Sequence, residues 1–254
     1  MLIDSHCHLD RLHISADDAL NDARARGVTG VMCIGVNAEE LGNVVAIAER
    51  HDDVWASVGI HPLSVTADST IDPVREFMEH SKVVAIGETG LDYHYETEES
   101  ALTAQRRLFA EHLELAGVLA KPTVIHTRAA QADTIDLIKA HGNPSSAGVL
   151  HCFTESWEMA KQALDLGYYI SISGIVTFRN ADSLRDVARR VPADRLLIET
   201  DAPWLTPVPN RGKPNLPGYV RDVAEFVADL RGANFEEFSD MTSNNFLRFA
   251  GINR

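Results

Sequence analysis

His6 and His8 stand two residues apart in Asp4-Ser5-His6-Cys7-His8. Side chains of an extended strand alternate between faces, so both imidazoles fall on one side, where they can grip one metal ion. Asp4 shares that parity and is expected to hold an imidazole through its second nitrogen. Four more segments end an apolar run on a ligand-type residue: Ile86-Gly87-Glu88, Ile125-His126, Leu150-His151 and Glu199-Thr200-Asp201. A carboxylate at Glu88 faces burial unless it is paired or bound to metal, and its two oxygens can bridge two cations. His126 and His151, as neutral imidazoles, suit a second metal. Asp201 can ligate or serve as general base, and Glu199 is expected one layer deeper, in need of a partner. The chemistry of such a set is hydrolysis by metal-activated water.

Other residues near these segments carry two readings each. His61, in Gly59-Ile60-His61-Pro62, is expected to bind substrate or shuttle a proton rather than ligate metal; a structural role is its alternative. Asp92 either orients a ligand or caps the following helix. Arg128 either grips a phosphate or carboxylate in bidentate fashion or pairs with a rim carboxylate. His13, His51, His80, His94, His112 and His141 are expected at the surface.

Ligands this far apart in sequence need a fold that gathers them. Short apolar runs rich in Val and Ile are predicted as strands over Leu2–His8, Gly30–Val36, Val54–His61, Val83–Glu88, Thr123–His126, Ala147–His151, Tyr168–Ser173 and Leu196–Thr200. They are continuous rather than alternating, as in strands buried on both faces. Amphipathic stretches lie between them. Ser15 with Asp18 three residues on signals a helix start, and Gly27 a stop. Eight strand–helix units imply parallel strands with right-handed crossovers and a closed TIM (β/α)₈ barrel forming one α/β domain over 1–254. In such a barrel the C-terminal strand ends share one rim, where the active site sits. Residues 202–217 form a long proline-rich loop on that side, and its Arg211 and Lys213 are candidates for an anionic substrate.

Composition limits the function classes. The chain has 254 residues, 23 Lys+Arg against 37 Asp+Glu, and a formal net charge of −14. That is a poor footprint for tight, non-specific duplex binding and argues against a nucleic-acid module without chemistry. A metal cluster can still supply local positive charge. No run approaches a membrane span, and no signal-type segment opens the chain, so a cytoplasmic protein is expected. Cys7, Cys33 and Cys152 are too few to form a disulfide framework and are expected to be structural.

Taken in order, Ser5-His6-Cys7-His8-Leu9-Asp10, Gly59-Ile60-His61-Pro62, Gly87-Glu88-Thr89-Gly90-Leu91-Asp92-Tyr93, Ile125-His126-Thr127-Arg128, Leu150-His151-Cys152-Phe153 and Glu199-Thr200-Asp201-Ala202-Pro203 resemble the TatD family of metal-dependent hydrolases. Ser171 to Phe178 and Arg211-Gly212-Lys213 are similar to its YcfH-like branch. The resemblance spans essentially the whole chain. It implies a deoxyribonuclease using two divalent ions, Mg, Mn or Zn. It also implies that His6, His8, Glu88 and Asp201 hold one ion and that Glu88, His126 and His151 hold the other. One position departs: Leu216 stands between Asn215 and Pro217, where the family commonly carries an acidic or amide residue.

The expected function is therefore 3′→5′ exonuclease-like cleavage of DNA phosphodiester bonds. Asp201, Glu88 and His61 would be catalytic, with Arg128, Arg211 and Lys213 on the substrate. The acidic surface points to single strands or ends as the DNA partner, without an obligate protein partner. The alternative is an amidohydrolase-type enzyme for a small cyclic amide, lactone or phosphoester. Related barrels often bridge their metals with a carboxylated lysine, whereas Glu88 stands at that strand here. A metal-binding scaffold without activity is a third reading, against which the complete ligand set argues.

Overall fold

The computed structural model describes residues 1–252. Strands β1 (Ile3–Cys7), β2 (Gly30–Ile34), β3 (Val54–Val58) and β4 (Val83–Asp92) alternate with helices α1 (Ala16–Ala25), α2 (Leu41–Arg50) and α3 (Asp72–Arg75). The pattern continues with α4 (Glu99–Leu119), β5 (Thr123–Arg128), α5 (Gln131–His141), β6 (Val149–Leu150), α6 (Trp157–Asp165) and β7 (Tyr169–Ile172). Helix α7 (Asp182–Arg190), β8 (Leu196–Ile198), α8 (Val220–Leu230) and α9 (Phe235–Phe249) complete it. The eight strands pair in parallel in sequence order. The circle closes where Asp201 N–H donates to His6 O (3.0 Å) and His8 N–H to Ala202 O (2.9 Å). The expected eight-stranded barrel is the fold observed. No helix among the described residues is long and apolar enough to cross a membrane.

The Val/Ile-rich strands are covered on both sides. Outward residues such as Val31, Cys33, Ile125 and Ile170 pack into the main core with the helices. Inward residues at the strand starts, among them Ile3, Met32, Val84, Val124 and Leu197, form a second cluster. Phe246 and Phe249 of α9 pack against that cluster and close the N-terminal mouth. The opposite rim is left for chemistry. Ser15 caps α1 by accepting from Asp18 N–H (3.1 Å), as its spacing predicts.

Several boundaries differ from expectation, and the differences matter for the site. β1 shifts register between Asp4 and Cys7, so strict parity from Asp4 to His8 does not hold. β3 stops at Val58, and His61 instead caps the 3₁₀ turn Pro62–Ser64. β4 runs on to Asp92, so Glu88 lies within a strand and not at its end. A register shift between Ile86 and Thr89 accompanies it. There the backbones of β4 and β5 come too close for side chains. A Cβ on Gly90, at φ +131°, would lie 2.0 Å from His126 O. Gly90→Ala combines backbone strain with overpacking, and a loss on the order of 4 kcal/mol is expected in urea denaturation. A loss below about 1 kcal/mol would show that β4 and β5 can separate there without cost.

One histidine is misplaced by the sequence reading. His112, expected at the surface, is fully buried in α4. Its Nδ1–H donates to Leu108 O (2.7 Å), and its Nε2 accepts from Ile60 N–H (3.2 Å). Burial pushes its pKa down from 6.5 to about 4. The folded value lies below the unfolded one. Its stabilisation is therefore full above pH 6.5 and is lost as the pH falls towards 4. The stability difference between wild type and His112→Gln should shrink by about 3 kcal/mol from pH 7 to pH 4. A difference independent of pH would mean that the neutral imidazole is not what the fold selects.

Candidate metal centre

Glu88 lies at the middle of five imidazoles, and its two oxygens face different groups. Oε2 lies 3.4 Å from His6 Nε2 and 3.7 Å from His8 Nε2. Oε1 lies 2.8 Å from His151 Nε2 and 3.3 Å from both His126 Nδ1 and His61 Nε2. Asp201 Oδ1 closes the first group, 3.4 Å from His8 Nε2 and 3.6 Å from His6 Nε2. The two histidine nitrogens are themselves 3.2 Å apart. Donors bound about 2.1 Å from a shared ion sit roughly 3.0–3.4 Å from one another. The spacings therefore suit cation binding. The donor chemistry does too: His6, Glu88 and His151 bring ligand-type atoms within 4.8 Å of one another, and so do His6, His8 and Asp201.

Outer partners decide which nitrogen of each ring faces the centre. His8 Nδ1–H donates to Ile34 O (3.2 Å), freeing the Nε2 lone pair. His126 Nε2–H donates to Asp92 Oδ2 (3.1 Å), freeing Nδ1. His151 Nδ1–H donates to Glu199 Oε1 (3.3 Å), which leaves Nε2 directed at Glu88 Oε1 (2.8 Å). His61 is wired in reverse. Its Nδ1 accepts from Leu63 N–H (3.1 Å), so its neutral ring carries the proton on Nε2, facing Glu88. It therefore donates to Glu88 and offers that oxygen's neighbourhood no lone pair.

Charge follows the same arrangement. Burial opposes the Glu88 carboxylate, yet His151, His61 and His126 hold its pKa well below the usual range. Burial likewise opposes a charged His151, but Glu88 and Glu199 raise its pKa well above the imidazole range. His6 is lowered by burial and by His151, whose ring stacks on it at 3.9 Å. Asp92 drops to about 2 in spite of burial, through its bond from His126. Asp201 is lowered, against burial, by His8, His6 and His151. Asp201, His61 and His126 are partly open to solvent, whereas Glu88, His6, His8 and His151 are buried. Substrate access is therefore from the side of the first three.

The residues that carried two readings have defined surroundings. Asp92 both orients His126 and caps the turn after β4, accepting from His94 N–H (3.0 Å) and Tyr95 N–H (2.8 Å). Glu199 Oε1 finds partners in His151 and Cys152 N–H (2.7 Å), whereas its buried Oε2 has none. Asp4 does not hold an imidazole. Its carboxylate accepts from Thr200 N–H (2.9 Å) and Thr200 Oγ1 (2.6 Å), joining β1 to the end of β8. The register shift in β1 is what turns it away from the rings. Arg128 is exposed and lies over Tyr95, 4.8 Å from the ring centroid, with no carboxylate at ion-pair distance among the described residues. Arg211 lies over Phe178 at 3.9 Å, and Lys213 is exposed in the same loop. All three cysteines are free. Sequence reasoning passed over two rings at this rim, Trp204 and Tyr95, because nothing in the residue order marks an aromatic as solvent-facing.

A parallel eight-stranded barrel with a carboxylate–imidazole cluster at its C-terminal rim defines the class of metal-dependent hydrolases. The chain belongs to the TatD related DNase family, whose model matches residues 3–251. It is similar to the metal-dependent hydrolase YcfH of Escherichia coli K12, at 45% identity over 99% of this chain and 96% of that protein. The 3'-5' ssDNA/RNA exonuclease TatD of Erwinia tasmaniensis is 35% identical over 93% of each chain. The solved structure of the TatD homologue YJJV from Escherichia coli superposes with a TM-score of 0.91 at 30% identity, covering 99% of this chain and 98% of that one.

Proposed function

We propose that this hydrolase is a deoxyribonuclease that removes nucleotides from the 3′ end of single-stranded DNA. The observation that carries the reading is the division of Glu88, one oxygen towards His6, His8 and Asp201, the other towards His126 and His151. Two divalent ions, Mg, Mn or Zn, would supply Lewis acidity towards the phosphodiester and a water nucleophile at neutral pH. His6, His8, Glu88 and Asp201 would hold one ion, and Glu88, His126 and His151 the other. Asp201, partly open and kept ionised by the rings beside it, takes the proton from the attacking water. His61 orients Glu88 through its Nε2–H. Arg128, Arg211 and Lys213 contact backbone phosphates. The Erwinia relative, named for exonuclease action on single strands, supports the choice of substrate. Three free cysteines fit a cytoplasmic setting.

The test is time-resolved cleavage of oligonucleotides labelled at the 3′ or the 5′ end, with Mg²⁺ or Mn²⁺ and with chelator. A metal-dependent ladder growing from the 3′ end is expected. Hydrolysis of cyclic amides or lactones without any cleavage of DNA would instead establish the amidohydrolase-type alternative.

A further inference from the structure

Two large aromatic side chains stand in solvent at the rim of the metal centre. Trp204 is 50% exposed and Tyr95 65%. Each ring offers a large apolar face to a ligand at the centre. Neither ring is loosely attached. Trp204 N–H donates to Asp201 O (3.0 Å), its carbonyl accepts from the buried Asn215 Nδ2 (2.5 Å), and its indole meets His8 edge-on with centroids 5.2 Å apart. Tyr95 N–H donates to Asp92 Oδ1, whose other oxygen holds His126. Each ring is thus tied to a residue of the centre by a single intermediate or by direct contact.

The barrel order sets their relation. Trp204 follows β8, which adjoins β1, whereas Tyr95 follows β4 and faces Arg128 at the end of β5. β4 and β5 lie across the barrel from the β8–β1 seam, so the rings flank the centre from opposite sides. At Tyr95 a guanidinium and a ring lie together, matching the phosphate and the base of one nucleotide. A base can stack on such a ring only when its own face is free, and every base has such a face.

We propose that Trp204 and Tyr95 are base-stacking platforms that seat unpaired nucleotides on either side of the centre. The inference rests on the nuclease reading above and adds the residues that make it selective for single strands. Paired bases, stacked within a duplex, present no free face to either ring. Stacking also explains how a chain of net charge −14 holds a polyanion with few cations.

Two readouts test this. In the first, metal-loaded protein is titrated with a phosphorothioate-capped oligothymidylate, and tryptophan fluorescence is followed. Trp55 and Trp157 are half-buried, which leaves Trp204 the exposed indole. Saturable quenching is expected in wild type, absent in Trp204→Leu and absent with the same sequence as a duplex. In the second, KM for single-stranded cleavage should rise about tenfold in Trp204→Leu and in Tyr95→Leu, with kcat nearly unchanged. Trp204→Phe should recover most of the loss. Abasic nucleotides at the 3′ end should raise KM in wild type and add little in Trp204→Leu.

Wild-type cleavage with equal KM in all variants, and no quenching, would overturn the stacking role and leave the nuclease reading standing. Quenching lost in Trp204→Leu, without cleavage by wild type, would support the platforms and remove the nuclease. Absence of both would overturn both.

Discussion

Glu88→Gln is expected to lower the hydrolysis rate by at least about 10³-fold, with loss of bound metal. The substitution keeps shape and removes charge. Both Glu88 oxygens are within 3.7 Å of imidazole nitrogens, in two directions, so one change weakens both halves of the centre. The amide NH₂ would also donate to ring lone pairs that the ions need, either at the His6–His8 pair or at His126 and His151. Elemental analysis after dialysis should show metal content falling in parallel with activity. An unchanged rate in a variant that keeps its metal would remove the centre from the mechanism. Because Glu88 is buried, a thermal melt must accompany the assay to separate misfolding from lost chemistry.

Asp201→Asn should reduce kcat by about 10²–10⁴-fold with a smaller effect on metal content. Asp201 adopts φ 56° at the barrel seam, a conformation that asparagine also tolerates, so the backbone should hold. Its Oδ1 approaches His8 and His6, and its side chain is partly open to solvent, the position needed to take a proton from an incoming water. The pH–rate profile separates the two roles it can play. As a base, its replacement removes the acid-side limb, which in wild type lies below the ordinary carboxylate range because the neighbouring rings depress its pKa. As a ligand alone, its replacement lowers metal content, and excess metal restores the rate with the limb intact.

The candidate ligand set was legible because its residue types are costly to bury without use. His6, His8, Glu88, His126, His151 and Asp201 each interrupt or end an apolar run, and the eight-fold alternation of strand and helix implies one rim for all of them. Sequence order alone therefore determined the barrel, the gathering of the ligands and the expectation of metal-assisted hydrolysis. Tertiary structure decided what depends on distance and orientation. It gave the two oxygens of Glu88 different neighbours, and it reversed the tautomer of His61 through a backbone N–H three positions from the end of the preceding glycine–isoleucine pair. It turned Asp4 from the rings to Thr200, drew His112 into the core under Ile60, and left Trp204 and Tyr95 facing solvent. Residue spacing carries periodicity, and periodicity names a face. Register shifts, turns and packing then choose which atom of that face meets which partner, and those choices are made between segments far apart in the chain.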